Sequence, residues 1–472
     1  MKRVAQWSLV VGLMVGTSVV QIGHAQSLAG PGAPRITAIR YDENYSYLRD
    51  PSLRTGAWWE RFKYLPLNES GDVYLTLGAG ARLRYEWITN KNWNDGPAAD
   101  DGYVWYRALP LADLHLGRYF RLFGQLVIAY ADGKEPSVTP VDETGADWLQ
   151  GFVDVTVPVA PDASLTFRVG RQMLLYGSER LIGTRYGPNV PRSFDGFKGL
   201  ARAGEWSVDA FYVRPVAVGL KSFDDERDNR QSLWAVYATR TLPLGEKSGV
   251  DGYYIGYQNR DAVFNQGAGD ERRHTLGARL FGNARAWDWN LEAFYQFGDF
   301  AEGSISAWSV ASDTGFTFAN TPLRPRVGLK ANIISGDDDP NDRDLQTFNP
   351  LFPKGKYFGE LSLLGPYNLI NLHSSIGVEL GAGWALSMAS VFYWRQSTGD
   401  GIYDNGGNLI RGDLGSRARF IGTQVEVVLE YEYSRNLRAL VSYSQFRPGR
   451  YIKDTGPSQT VHFVGTELEF RF

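Results

Sequence analysis

Cysteine is absent from all 472 residues. No disulfide can staple small secreted modules together, and no thiolate can hold a metal. Long apolar runs are missing as well: beyond residue 22 nothing approaches the ~20 apolar residues that a membrane-crossing helix needs. Neither sign of charge dominates, since 49 Lys and Arg stand against 52 Asp and Glu for a net charge of -3. Bulk charge therefore argues against a nucleic-acid partner and against any other polybasic or polyacidic recognition. Histidine is scarce, and past the amino-terminus only His115, His274, His373 and His462 remain. They fall on separate expected strands, with no Gly-x-Ser-x-Gly elbow, His-Glu-x-x-His pair or phosphate-binding loop. His373 beside Ser374 and Ser375 is the one tempting group, but neighbours on a strand point to opposite faces. Neither an enzyme nor a cofactor is expected.

What is present begins with a leader. Lys2 and Arg3 precede an apolar run from Trp7 to Ile22 and then Gly23-His-Ala25, the pattern of a cleaved signal peptide over residues 1–25. Residues 26–70 carry Pro31, Pro34, Pro51 and Pro66 and read as a non-spanning segment, tucked into a lumen or lying at its periplasmic mouth. Residues 71–472 then alternate. From Val73 to Trp87 the odd positions are apolar or aromatic, while Thr76, Arg82, Arg84 and Glu86 stand between them. That run exceeds the ~9–11 residues a tilted strand needs to cross a bilayer. Trp287 to Gln296 and Ile421 to Tyr433 repeat it, and the carboxy-terminus closes on Leu468-Glu-Phe470-Arg-Phe472. A period of two with charges on one face and aromatics on the other suits a strand between lipid and water.

About eighteen such segments are present, which predicts an all-β, transmembrane antiparallel barrel. Soluble sandwiches use strands of roughly 3–10 residues, shorter than several here. Connections alternate between tight ones, as at Arg118-Tyr119 and Arg435-Asn436, and long ones over 173–193, 218–230, 259–271, 335–369 and 396–418. Short periplasmic turns opposite long extracellular loops are the habit of outer-membrane barrels, so the expected surroundings are outer-membrane lipids. Loops beyond ~12–15 residues are usually functional or disordered. The gate is sought there.

Several motifs resemble those of the alginate-export family of outer-membrane proteins. They are Val169-Gly-Arg-Gln through Arg180, Gly187-Pro-Asn189, Arg192-Ser-Phe-Asp-Gly196, Ser335-Gly-Asp337, Thr347 to Pro353, Trp394-Arg395, Asp400-Gly-Ile-Tyr403, and Tyr443 to Pro457. The resemblance implies an eighteen-stranded barrel whose arginine-lined, loop-covered lumen passes an anionic uronate polymer. It also implies periplasmic export or assembly proteins as partners. It carries Arg171 into the pore, through the Gly-Arg-Gln motif. Around Leu149-Gln-Gly-Phe152, where polymer exporters place another arginine, this chain has none, which argues against strict uronate selectivity.

Candidate pore residues follow from phase. Arg82, Arg84 and Arg168 lie opposite an apolar face, as do Arg279, Arg326 and Lys330. Arg171 is out of phase with Arg168, so aiming it inward needs a bulge near Gly170. Arg180, Arg185, Arg192 and Asp195 form a denser set, and Arg395 joins them from its own motif. An arginine fork matches a carboxylate bidentately, so such a set set against Glu426, Glu430 and Glu432 would narrow and polarise a lumen. The bland reading of each is a paired wall residue in a polar interior. The Asp337-Asp-Asp-Pro-Asn-Asp342 run offers oxygen ligands, but its spacing is not that of an EF-hand, and no metal is assigned. The expected function is passive diffusion of anionic sugars or a polyuronate such as alginate; the rival is a porin for small organic acids or aromatics.

Overall fold

The computed structural model describes residues 33–97 and 99–472; the leader expected over 1–25 lies outside them. Eighteen antiparallel strands close into one barrel. Strand β1 comprises Val73–Gly78 and Gly80–Thr89, and β2 comprises Asp101–Ala108 and Leu111–Leu116. The break in β2 falls at Pro110, which has no N–H to give a ladder. There follow β3 (Phe120–Asp132), β4 (Gly145–Ala160), β5 (Ala163–Gln172), β6 (Phe194–Ala203), β7 (Trp206–Ala217) and β8 (Gln231–Leu242). Next come β9 (Ser248–Phe264), β10 (Gly267–Ala284), β11 (Trp287–Phe300), β12 (Gly303–Thr317) and β13 (Arg326–Ile334). The last are β14 (Leu369–Gly381), β15 (Trp384–Arg395), β16 (Phe420–Ser434), β17 (Leu437–Pro448) and β18 (Val461–Arg471). Strand β18 pairs with β1, Glu467 opposite Arg84 and Glu469 opposite Arg82. Closure leaves no sheet edge unpaired.

Burial along β1 decides which side faces lipid. Arg82, Arg84 and Glu86 are 5%, 1% and 6% exposed, whereas Leu83, Tyr85 and Trp87 between them are 47%, 41% and 40% exposed. Charges inside and aromatics outside invert the order of a water-soluble protein. Only a hydrocarbon exterior around a polar lumen makes that arrangement favourable.

The ends differ as the sequence predicts, with one correction. Tight turns at Gly117–Tyr119, Gly204-Glu205 and Arg435-Asn436 lie at the end that holds both ends of the described chain. The long connections 173–193, 218–230, 335–368 and 396–419 lie at the other. Residues 259–271, expected as a loop, instead extend the β9–β10 hairpin, which pairs out to Phe264 opposite Gly267. Ala262 and Phe264 hold the alternation there, buried with Phe300, Leu345 and Tyr403.

Residues 33–66 form no spanning strand. They run through short 3-10 turns, Arg40–Asp42, Ser46–Arg49, Pro51–Leu53 and Glu60–Phe62, before Leu65–Pro66 pairs with β1. Arg40 Nη2 donates to the carbonyl of Phe472 at 2.6 Å, and Lys63 Nζ donates to Leu77 at 2.9 Å. The segment is thereby tied to the seam where first and last strands meet.

Candidate functional site

The lumen is occupied by two of the long connections. Loop 173–193 leaves β5 and dives inward at Met173, whose amide donates to Gln150 Oε1 at 2.9 Å. It meets loop 335–368 in a short backbone seam: Gly183 N donates to Phe352 O at 2.8 Å, Phe352 N to Leu181 O at 2.9 Å, and Lys354 N to Glu179 O at 3.0 Å. Apolar residues of both loops (Leu174, Leu181, Ile182, Phe348, Phe352, Phe358) pack with inward wall residues such as Phe194, Tyr253 and Tyr393. Burying those side chains, at roughly 1.5–3 kcal/mol each, holds the loops in.

Several family-like motifs turn out to be fasteners. Asn189 Nδ2 donates to the carbonyls of Tyr106, Tyr130 and Asp142 at 3.2, 3.0 and 2.8 Å. Asn368 Nδ2 reaches the carbonyls of Ser397, Asp400 and Gly401. Asp400 accepts from Thr347 Oγ1 at 2.5 Å, Tyr403 OH at 2.8 Å and Asp337 N at 3.1 Å. Asp337 itself accepts from the amides of Asp339 and Gln346, so the first member of the acidic run serves as a turn anchor. Arg395 donates to the carbonyls of Thr398, Asp400, Ser416 and Ala418 and lies 3.9 Å from the Tyr451 ring. It ends β15 and pins loop 396–419 to the wall. Elsewhere among the described residues, Asp147, Asp224 and Asp225 bring carboxylate oxygens within 4.8 Å of one another.

The other candidates divide clearly. Arg82 points inward and donates to the carbonyls of Tyr186, Gly187 and Pro188, clamping the inward loop. Arg84 bonds Glu86 at 2.5 Å, Glu360 at 2.7 Å and Glu467 at 3.0 Å. Arg168 forks onto Asp154 at 2.7 and 2.8 Å beneath the Tyr41 ring. Arg180 meets Glu292 at 2.7 Å, not the Glu426, Glu430 and Glu432 group. Those last residues lie instead near loop 335–368, where Glu426 accepts from the Glu360 amide at 2.7 Å.

Arg171 differs from expectation. Register runs through Gly170 without a slip, Arg171 opposite Gly151 on one side and Asp195 on the other. No bulge turns it, so Arg171 and Asp195 keep the phase of the exposed Phe167, Val169 and Phe197 on the outer face. They bind each other there at 2.9 and 3.2 Å. Inward arginines that escaped the sequence reading include Arg107, which lies 4.2 Å from the Tyr186 ring, Arg121, which forks onto Asp113, Arg273 and Arg438. The period of two would have found Arg107, which shares the phase of Tyr103 and Trp105.

A cavity of about 60 Å³ remains beside the seam, lined by Arg82, Arg84, Arg438, Lys354 and Lys356 and by Glu179, Glu360, Glu430 and Glu467. Burial would raise the Glu360 carboxyl, but Lys356 and Arg84 outweigh it and hold it down to about 2. Two cations at the seam stand apart. Arg185 donates to Val190 O at 3.2 Å and Arg192 to Pro353 O at 3.3 Å, and among the described residues neither has a carboxylate at ion-pair distance. Burial lowers Arg185 to about 10; burial, then Arg185 beside it, lowers Arg192 to about 9. Both stay charged at neutral pH. Burial, then Lys330, brings the Lys354 ammonium down to about 7, with Glu179 opposing.

The family model for alginate export matches residues 73–466, the whole barrel from β1 into β18. The chain belongs to the alginate export family. It is accordingly an outer-membrane channel barrel of the transport type, and its solved structural likenesses agree in fold. A BenF-like porin from Pseudomonas fluorescens Pf-5 superposes with a TM-score of 0.55 at 10% identity, covering 84% of this chain and 99% of that one. Pseudomonas aeruginosa OccK2 (OpdF), solved with glucuronate, gives 0.54 at 12% identity over 87% and 99%. OpdK of the same organism, solved with vanillate, gives 0.53 at 12% identity over 84% and 98%. No curated protein matches the chain in sequence.

Within this alginate export barrel the amino-terminal segment touches the inward loop directly. Tyr41 OH donates to Met173 O at 2.9 Å, and its ring meets Phe123 and Phe152 edge-on. Removing the ring by Tyr41→Ala is expected to cost about 3–5 kcal/mol of local packing and to free both segments. Single-channel conductance should rise, with faster protease cleavage within residues 33–66. Unchanged conductance would remove this segment from the gate.

Proposed function

We propose that the channel passes carboxylated sugars, from a single uronate to a short uronate oligomer, by diffusion past the seam of the two inward loops. The observation that carries this reading is the pair Arg185 and Arg192, half-buried in the lumen with no carboxylate at ion-pair distance among the described residues. Arg82, Arg84, Arg168, Arg180, Arg273 and Arg438 are each paired with a carboxylate, so a passing carboxylate meets unmet positive charge at the seam. OccK2, a barrel of similar fold, was solved with glucuronate, which supports the sugar acid as substrate class. A porin for small organic acids is the second reading, favoured by the small size of the cavity beside the seam: about 60 Å³, far below the ~300–1,000 Å³ of ordinary ligand pockets. Export would need periplasmic supply proteins, and uptake would not.

Reversal potentials in planar bilayers test the reading. Anions should permeate better than cations, and glucuronate oligomers should block the current. Selectivity should also fall as pH rises from 6 to 8, because Lys354 is charged below about 7 and neutral above. Lys330, Arg180, Glu179 and Asp313 face it. Lys354→Met should abolish the pH step. Cation preference in the wild type, or block by benzoate but not by glucuronate oligomers, would overturn the sugar-acid reading.

A further inference from the structure

On the outer wall, strands β4 to β9 carry a furrow of about 650 Å³ whose lining is almost wholly apolar. Register shows how it arises. One outward row reads Phe167, Gly199, Ala210, Val236 and Tyr254 across β5 to β9. The row toward the extracellular end reads Val169, Phe197, Tyr212, Trp234 and Gly256. Two small residues side by side, Gly199 and Ala210, drop the floor between taller neighbours on both sides. Phe197 and Tyr212 stand over its upper end, and Trp234 lies across Gly256, where an added Cβ would fall 2.0 Å from the ring. The next row up is Arg171, Asp195 and Arg214, about 7 Å further along at about 3.4 Å per residue. Arg171 is neutralised by Asp195. Arg214 shares the outward phase of Tyr212, donates only to Asn229 Oδ1 at 2.7 Å, and has no carboxylate at ion-pair distance among the described residues.

We infer that this furrow seats one acyl chain of a phosphate-bearing outer-leaflet lipid, its phosphate held by Arg214. The row order carries the assignment: a depression in the apolar band, an aromatic row above it, and an unneutralised cation above that match, in sequence, the tail, interface and headgroup of a lipid. Lipid tails and leucine are equally apolar, so occupancy here depends on fit and on the headgroup rather than on a hydrophobic gain. An anionic headgroup near a single Arg is favoured about fivefold over a neutral one.

The test is native mass spectrometry of the full detergent-extracted barrel, titrated with phosphatidic acid or with a galactosyl diacylglycerol of the same chains. One phosphatidic acid per barrel should be retained, about fivefold in preference to the galactolipid. Gly199→Leu with Ala210→Leu fills the floor; a Cβ at Gly199 meets only Ala210 O at 3.9 Å, so the barrel should fold and lose the bound lipid. Arg214→Gln should hold both lipids equally. Equal retention of the two lipids by the wild type, or a retained lipid in the filled variant, overturns the assignment. So does a wild-type dimer that the filled variant dissociates, which would give the furrow to a second copy of the chain.

Discussion

Exchanging Arg185 and Arg192 together for glutamine is expected to cut the anion-over-cation permeability ratio by at least roughly ten- to thirtyfold, the anion's share alone. A unit charge about 8 Å from a passing monoanion, at an effective dielectric of about 40, contributes about 1 kcal/mol. Two such charges give about 2 kcal/mol, and each 1.4 kcal/mol is about tenfold. Glutamine keeps a donor for Val190 O and Pro353 O, the carbonyls that the two guanidinium groups now hold, so the loops stay seated while the charge goes. Neutralising the paired Arg168 and Asp154 together, as Arg168→Gln with Asp154→Asn, removes no net charge and should leave selectivity nearly unchanged. Reversal potentials in a salt gradient read both outcomes. If the double variant keeps the wild-type value, the seam is not the filter and the sugar-acid reading loses its support.

Much of the barrel was legible because its one strong rule is local. Every second residue faces hydrocarbon, so phase alone separates Arg82, Arg84 and Arg168 from Leu83, Tyr85 and Phe167, and eighteen repeats of the rule count the strands. The rule erred where composition was allowed to override it: Arg260, Asp261 and Gln266 look like a loop, yet Ala262 and Phe264 continue the strand. It was also right about Arg171, whose phase points outward. The expectation that a bulge would turn it came from the resemblance, and the uninterrupted register at Gly170 shows no such turn.

What stayed hidden is what depends on distant parts of the chain. Loop 173–193 and loop 335–368 meet only in the lumen, and no pattern within either one announces the partner. Arg180 was expected against the wall of β16 and instead meets Glu292 on β11. Arg107, Arg273 and Arg438 had the correct phase but no motif to single them out. The distinction that matters for transport, neutralised against unneutralised arginine, is a property of the assembled lumen. Arg185 and Arg192 gain it by lying where two loops bring backbone carbonyls and, among the described residues, no carboxylate within ion-pair distance.

Replacing Arg84 with methionine should be the most damaging single change in the lumen, lowering stability by about 3–5 kcal/mol. Its partners Glu360 and Glu467 lie 276 and 383 residues away in sequence, so one guanidinium joins the first strand, an inward loop and the last strand. Methionine fills the space and removes the charge, leaving Glu86, Glu360 and Glu467 facing one another in an enclosed site. Lys356 stays with Glu360 at 2.5 Å and Arg438 with Glu467 at 3.2 Å, so Glu86 is the carboxylate left without a cation. Loop 335–368 should loosen first, as added open-channel noise, and the urea midpoint of barrel unfolding should then fall. Adding Glu86→Gln removes that uncompensated charge and should restore about 0.5–3 kcal/mol, the range for directly coupled pairs. A single variant within about 0.5 kcal/mol of wild type would mean that water, not Arg84, neutralises these carboxylates, and that the lumen is wetter than its packing indicates.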